Sequence, residues 1–463
     1  MNTSCRICGQ ENSAEAQYCS NCRSRLATGD SSGGETAATR RIGFLAGARR
    51  RHLTLWSMAV AIVLVTGGWI GYANLASARS FPPPSSDVSS APVAGDWPMV
   101  QREPAHSAFV TESGAELTGN VKWRFEIDAP IFSSPAAVGD RLYLSTGDKR
   151  ILALDAASGD LLWEHTVLGP VNSSPAVAGD LVYVGLRDGR VIALSRETGE
   201  KRWEFQTADL VYSSPAVFEG VVYIGSWDGR LYALDAVTGE ERWNYLTGGH
   251  ITSDPAVNQE VTAVISQDWY LNLIDLATGK HRLDFRLASV SGSPTIHEDL
   301  VFVSDERGVV RAIDWQEREA RFEKLSRRLK TQLFAFGLTD SLPSSKGFVW
   351  GFRKPGERFV GTPAVANEKV YAGSASGNVY ALEEFTGELV WSFAGESSIT
   401  SSPSVVGQTV FVGDESGRLY SIDALTGDLR WEFVADDSIS STPVVANKTL
   451  YVSSLSGTLY AIE

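Results

Sequence analysis

The sequence predicts an all-β fold, an eight-bladed β-propeller of four-stranded blades, and three observations support this. A Ser-Ser-Pro-like triplet recurs eight times, with successive prolines separated by 40, 40, 40, 39, 69, 40 and 40 residues. A period near 40 residues with strand patterning is typical of propeller blades. Glycine (43 residues) and aromatic residues (10%) are frequent, which favours turn-rich β-structure. The eight prolines are Pro135, Pro175, Pro215, Pro255, Pro294, Pro363, Pro403 and Pro443.

Each repeat contains four short strand signals, and residues 173–205 illustrate them. β-Branched and aromatic residues predict strands over 173–177, 181–185, 190–194 and 202–205. The glycines between these segments stand where tight turns need positive φ. A single such sheet cannot bury both of its faces, so the blades must pack radially and close into a ring.

The two ends of the repeat region predict how the ring closes. The chain ends in a third strand, 459–463, with no fourth strand after it. The first repeat is preceded by a spare fourth strand, 121–125. We therefore expect the spare strand to complete blade eight.

A recurring motif resembles that of the pyrroloquinoline-quinone (PQQ) type propeller family. The family's tryptophan-docking motif runs Ala-x-Asp-x-x-Thr-Gly with Trp four residues later, and it is seen here from Ala233 to Trp243. The opening segment from Asp96 to Ser107 is also similar to that family, and the resemblance covers about residues 95–463. Other copies of the motif end at Trp163, Trp203, Trp391 and Trp431.

Two repeats depart from the motif. The fourth has Leu283 where Trp is expected, and the fifth is interrupted by an insertion of about 316–347. Apolar residues in the insertion fall at helical spacing, which predicts an amphipathic helix from Gln316 to about Gly337. This helix is either a family-specific insertion that folds back on the ring without a binding role or a docking element for a partner. The residues at helical spacing are Phe322, Leu325, Leu329, Leu333 and Phe336.

The first 26 residues predict a zinc ribbon. Two Cys-x-x-Cys pairs separated by ten residues suit a closed, structural four-thiolate Zn²⁺ site, formed by Cys5, Cys8, Cys19 and Cys22. So short a segment needs a metal to fold. The alternatives are redox dithiols or an iron site of the rubredoxin kind. No other cysteine exists, so the propeller contains no disulfide.

Between the ribbon and the propeller, the sequence predicts a membrane anchor. Residues 27–52 read as a flexible basic linker, 53–75 as a transmembrane helix and 76–95 as a stalk rich in Pro and Ser. Arginines cluster before the uncharged span, which predicts a cytoplasmic N-terminus and a periplasmic propeller at the inner (plasma) membrane. The alternative is a signal peptide cleaved after Ala78.

Charge argues against nucleic-acid binding by the propeller. Residues 1–81 carry nine Arg and four acids, a net of +5, whereas the whole chain carries −14. The remainder therefore carries −14 − 5 = −19, which repels a phosphate backbone.

The sequence offers no catalytic constellation. In the PQQ enzymes, as the resemblance implies, a vicinal disulfide stacks on the cofactor and Ca²⁺ is held by acidic and amide groups; no cysteine follows Cys22, so no PQQ is expected. Five histidines (His106, His165, His250, His281 and His297) are widely separated. Recurrent acids are expected to bond turn amides (Asp155, Asp235, Asp275, Asp314 and Asp423). Recurrent tyrosines are expected in the blade core (Tyr143, Tyr183, Tyr223 and Tyr371).

These observations predict a non-enzymatic scaffold that binds protein partners in the cell envelope. The nearest functional analogue is the propeller lipoprotein of the outer-membrane β-barrel assembly machinery, which the repeats resemble. One alternative is a transmembrane sensor that couples an external ligand to a cytoplasmic partner of the zinc ribbon. A PQQ-dependent dehydrogenase is the third hypothesis.

Overall fold

The computed structural model describes residues 3–4, 11–12, 84, 95–110, 117–289, 292–319, 323–336, 338 and 345–463. Two compact units are found, Met1–Ser77 and Ala78–Glu463. The second unit contains eight sheets that follow one another along the chain, which confirms the predicted eight-bladed propeller.

Each blade is an antiparallel sheet whose four strands are consecutive in the chain, except in blade 8. Blades 1 to 4 comprise Ala136–Val138, Arg141–Ser145, Arg150–Asp155, Leu161–Thr166; Ala176–Ala178, Leu181–Gly185, Arg190–Ser195, Lys201–Gln206; Ala216–Phe218, Val221–Gly225, Arg230–Asp235, Glu241–Leu246; and Ala256–Val257, Val261–Ser266, Tyr270–Asp275, Lys280–Arg286. Blades 5 to 7 comprise Thr295–His297, Leu300–Asp305, Val309–Asp314, Phe348–Arg353; Ala364–Ala366, Lys369–Gly373, Asn378–Glu383, Leu389–Ala394; and Ser404–Val406, Thr409–Gly413, Arg418–Asp423, Leu429–Val434. Blade 8 comprises Val444–Ala446, Thr449–Ser453, Thr458–Ile462 and the early strand Val121–Glu126.

The first strand of blade 2 differs most from its predicted bounds. In blade 2 the first strand begins at Ala176, whereas the sequence pattern placed its start at Ser173. The two serines before Pro175 lie outside the ladder. Ser174 Oγ accepts the N–H of Ser134 in blade 1, and the N–H of Ser174 donates to Ser214 Oγ in blade 3. Ser173 Oγ donates to the carbonyl of Gly185 in its own blade. The insertion forms one helix, Glu323–Ala335, shorter than predicted. Leu329 and Phe336 are 57% and 79% exposed, so the predicted apolar face is not fully packed.

Tryptophan side chains join consecutive blades. The indole of Trp163 in blade 1 donates to the carbonyl of Arg196 in blade 2 at 3.0 Å and stacks over Gly199. A Cβ at Gly199 would lie 2.6 Å from that ring, and its φ of +71° also favours glycine. Seven of the eight junctions use a Trp in this way, from Trp123, Trp163, Trp203, Trp243, Trp350, Trp391 and Trp431.

The two ends of the propeller close the ring as predicted. Val121–Glu126 pairs with Thr458–Ile462, with Ala461 opposite Trp123. Trp123 then donates to the carbonyl of Ala156 in blade 1 at 3.2 Å. The docking turn of blade 8 is itself split, because Thr118 donates to the carbonyl of Glu463 at 2.8 Å. Early and late residues thus build one motif.

Residues 95–110, here called the axial segment, run along the innermost strands. Their carbonyls accept backbone N–H groups from the first strands of seven blades, 1, 2 and 4 to 8, at 2.7 to 3.1 Å. Trp97, Met99 and His106 are fully buried. A short strand, Phe109–Val110, ends the segment by pairing in parallel with Ser404–Val406. The axial segment therefore ties the inner edges of the blades together.

The N-terminal unit is described only in part. Thr3–Ser4 and Glu11–Asn12 pair antiparallel and bracket the first Cys-x-x-Cys pair. The four cysteines and the predicted membrane helix at 53–75 lie outside the described residues. Among the residues that are described, no helix is long and apolar enough to cross a bilayer.

Candidate binding funnel

The strand order gives the propeller two different faces. Turns between the second and third strands, and loops that lead to the next blade, lie on one face, here called the funnel face. The remaining turns, with the helical insertion, lie on the opposite face. The backbone N–H of Trp227, in a second-to-third turn, donates to the carbonyl of Leu210 in a blade-to-blade loop at 2.8 Å, which ties the two kinds of segment together.

A ring of side-chain oxygens lines the axis below the funnel face. The second residue of each Ser-Ser-Pro-like triplet receives a backbone N–H from its counterpart in the preceding blade. Such bonds join Ser134 to Ser174 at 3.0 Å and Thr442 back to Ser134 at 2.9 Å. The members are Ser134, Ser174, Ser214, Asp254, Ser293, Thr362, Ser402 and Thr442, with seven of the eight links present. This role was not predicted from the sequence, because the triplet pattern is also typical of the start of a strand.

Asp254 is the one carboxylate in this ring of hydroxyls. It accepts the N–H of Ser214 at 2.5 Å, and its own N–H donates to Ser293 Oγ at 2.8 Å. Burial raises the pKa of Asp254 to about 6, although these hydrogen bonds oppose the shift. The side chain is only half-buried.

The axial segment forms the floor beside this ring. Gln101 Nε2 donates to Thr442 Oγ1 at 3.3 Å. His106 Nδ1 lies 2.9 Å from the carbonyl oxygen of Pro294. Burial lowers the pKa of His106 to about 4, so its imidazole is neutral at physiological pH. Gln101 Oε1 and His106 Nε2 are buried and have no hydrogen-bond partner among the described residues. Buried polar atoms of this kind are usually satisfied by water or a ligand.

The mouth of the funnel carries a continuous stack of four side chains across blades 2 to 4. The Arg187 guanidinium lies 4.9 Å from the Tyr212 ring centroid. Tyr212 and Trp227 have centroids 5.0 Å apart, and Trp227 stacks on His250 at 5.2 Å with an interplanar angle of 20°. His250 is exposed and the other three are partly buried. Aromatic and Arg side chains of this kind dominate protein interfaces.

The sequence-predicted acids and tyrosines have the expected structural roles. Asp155 accepts the amides of Ala157 and Ser158, both at 2.9 Å. Arg430 and turn amides lower the pKa of Asp423 to about 2. Tyr143, Tyr183, Tyr223 and Tyr371 are buried, as predicted.

Among the described residues, one of the five histidines lies in a cluster of three possible metal ligands, which the sequence did not predict. His281 lies with Asp284 and Glu319, their ligand atoms all within 4.8 Å of one another. The sequence did not indicate this, because Glu319 is 38 residues away in the insertion.

A family model described as outer membrane protein assembly factor BamB matches residues 108–319 and 342–463. No curated protein matches the chain significantly. Among solved structures, BamB from Moraxella catarrhalis is 17% identical, with a TM-score of 0.60 over 74% of this chain and 97% of that one. Quinohemoprotein alcohol dehydrogenase from Comamonas testosteroni is 16% identical, with a TM-score of 0.63 over 80% of each chain. The designed Ika8 protein is 16% identical, with a TM-score of 0.60 over 73% of this chain and 97% of that one.

The PQQ-type resemblance of the sequence implies adjacent cysteines against the cofactor, whereas this chain has no cysteine after Cys22. The axial ring offers one carboxylate, Asp254, among hydroxyls. At this level of identity, the likeness to dehydrogenases concerns the fold alone.

Proposed function

The chain belongs to the family described as outer membrane protein assembly factor BamB, and from this premise we propose that it is a non-enzymatic protein-interaction scaffold of the cell envelope. The observation that carries the proposal is the Arg187–Tyr212–Trp227–His250 stack at the funnel mouth. The stack supplies a rigid aromatic surface on one face of the propeller.

Three features make this stack a suitable docking surface. The four side chains come from two turns and two loops, each fixed by backbone hydrogen bonds to a blade, so little side-chain freedom is lost on binding. The stack presents flat ring area and one cation, the residue types that dominate interfaces. Trp269 is 44% exposed in the next second-to-third turn of the same face and widens the apolar area toward blade 4.

The membrane arrangement is part of the same proposal. An anchor at 53–75 would hold the propeller on the periplasmic side of the inner membrane, and the stalk at 76–95 would extend it from the surface. The N-terminal ribbon would hold one Zn²⁺ through Cys5, Cys8, Cys19 and Cys22 in the cytoplasm. The hairpin-like pairing around the first Cys-x-x-Cys supports this ribbon.

Site-specific photo-crosslinking in intact cells tests the scaffold. A photoreactive amino acid at position 212 should capture an envelope protein, and one at position 202, on the exposed outer strand of blade 2, is the matched control. Loss of the position-212 product in Trp227→Ala, with the propeller still folded, is expected. Equal capture from both positions, or none from 212, would contradict docking at the funnel mouth.

The sensor remains a second candidate because of one observation, the single half-buried carboxylate of Asp254 in a ring of hydroxyls. A carboxylate in this setting suits a small cationic or hydrogen-bonding ligand. A crosslinker in the N-terminal region tests the sensor. Capture of cytoplasmic regulators that changes in the Asp254→Ser variant would favour the sensor over the scaffold.

A further inference from the structure

We propose that His281, Asp284 and Glu319 form a binding site for a divalent transition-metal ion, with Zn²⁺ and Mn²⁺ the best chemical matches. The site lies on the outer strand of blade 4, away from the funnel. One imidazole and two carboxylates are donors that suit both metals. The proposal does not depend on the function proposed above.

A bulge in the outer strand brings the first two ligands together. The register shifts between Leu273 and Ile274, so Arg282 is the extra residue on the outer strand. Alternation along the strand is broken there, and His281 and Asp284 come to the same side, with Nε2 and Oδ1 2.8 Å apart. The equivalent pair in blade 2 is Lys201 and Glu204, an ordinary exposed ion pair at 2.6 Å.

The insertion adds a third ligand that other blades lack. The backbone N–H of Glu319 donates to the carbonyl of Arg282 at 2.9 Å, which fixes the base of the insertion on blade 4. Glu319 Oε2 then lies 3.7 Å from His281 Nε2. The insertion also covers the site: the side chains of Asp284 and Glu319 are 15% and 4% exposed, whereas Glu204 in blade 2 is 44% exposed.

The distances favour a shared cation over a single proton. His281 Nε2 lies 2.8 Å from Asp284 Oδ1 without hydrogen-bond geometry, and its 3.7 Å separation from Glu319 Oε2 exceeds hydrogen-bond range. With metal–ligand bonds of about 2.0–2.1 Å, tetrahedral ligand atoms lie about 3.3 Å apart. Small side-chain rotations would bring the three atoms to that spacing. His281 is 31% exposed, which leaves the ion a route to solvent.

Mn²⁺ binding to the full chain, followed by electron paramagnetic resonance, tests the site. Mn²⁺ is the appropriate probe because it prefers oxygen and imidazole ligands over the four N-terminal thiolates. We expect saturable binding of about one Mn²⁺ per chain at a site of three such ligands. His281→Asn, Asp284→Asn and Glu319→Gln should each weaken the binding by at least about ten-fold.

The matched control is His297→Asn, which removes the other histidine–carboxylate contact, 2.6 Å from Glu384. It should leave Mn²⁺ affinity unchanged. A second measurement guards against misfolding: Mn²⁺ should raise the melting temperature of the wild type but not of Glu319→Gln, with circular dichroism confirming that both are folded. Absence of saturable Mn²⁺ binding, or binding that all three ligand variants retain, would overturn the proposal.

Discussion

Blades 2 and 4 have the same four-stranded fold, yet they differ at each radial position. Blade 2 has Ser174 in the axial ring, Gly189 in its funnel-face turn and Trp203 at its junction. Blade 4 has Asp254, Trp269 and Leu283 at these places. Blade 4 therefore departs from the repeat at all three positions and still keeps the four-stranded fold.

The junction after blade 4 shows how such compensation works. Leu283 and Trp315 lie in the same buried cluster between blades 4 and 5. Trp315 Nε1 donates to the carbonyl of Glu298 at 2.7 Å, and the Arg282 guanidinium lies 5.0 Å from its ring centroid. The indole missing from blade 4 is thus supplied by blade 5. Buried Arg282 is held on its other side by Glu260.

The first test, which has the largest expected effect, asks whether the stability of the regular blades, such as blade 2, depends on ring closure. A chain beginning at Gly95 should melt cooperatively. A chain beginning at Leu117 loses the axial segment, and one beginning at Asp128 also loses the closing strand and Trp123. Loss of the half-buried indole alone should cost about 3 kcal/mol, and an unpaired edge adds to this. We expect the melting temperature, measured by circular dichroism, to fall in that order, with the shortest chain aggregating. Identical melting of all three chains would refute closure by Val121–Glu126.

The second test concerns the exchanged tryptophan. Trp315→Ala should lower the free energy of unfolding by about 3–5 kcal/mol, because the side chain is buried and packed. Leu283→Trp alone should cost about 1–3 kcal/mol, since Trp315 already fills the junction. The double variant with Leu283→Trp and Trp315→Ala should lose less free energy of unfolding than the two single variants together, because the indole returns to the position it has in blade 2. Chemical denaturation measures the free energy of unfolding of each variant. Strictly additive losses would show that an indole at position 283 does not replace the one at position 315.

The third test concerns Asp254. Its pKa is raised to about 6, above the unfolded value, so its contribution to stability is present at low pH and is lost as the pH rises from about 4 through 6. Asp254→Ser, which restores the residue found in blade 2, should therefore stabilise the propeller by about 2 kcal/mol at pH 7.5. The difference from wild type should vanish near pH 3.5. A variant that is less stable than wild type at pH 7.5 would indicate that the carboxylate has a bound partner there.

The smallest expected effect comes from Trp269, whose φ is +71° where blade 2 has Gly189 at +86°. Trp269→Gly should relieve backbone strain and stabilise the propeller by about 0.5–1 kcal/mol in thermal denaturation. Capture of a partner through position 212 should fall if the proposed docking surface extends to this turn. Unchanged capture would confine the surface to the four-residue stack.

Much of the frame could be predicted from the sequence because the repeat fixes local structure. Glycine spacing marks the turns, and Trp with its glycine partner marks seven of the eight junctions. The missing last strand and the spare early one indicated closure correctly. The split docking turn at Thr118 was missed, because its two halves lie at opposite ends of the repeat region.

The sites were less predictable, because they are made by residues distant in the chain. The serines of the triplets become an axial ring only when eight blades surround one axis, and Asp254 acquires its raised pKa only from that burial. The stack from Arg187 to His250 joins four turns and loops of different blades.

What the sequence by itself determined is therefore the propeller, its blade number and its closure, since these follow from local patterns repeated at a fixed period. Only the tertiary structure decided that the axial segment lines the centre, that Trp315 replaces the indole absent at Leu283, and that Glu319 meets His281 and Asp284. The physical reason is that each of these contacts joins residues from different blades or from the insertion, where chain order carries no information about distance.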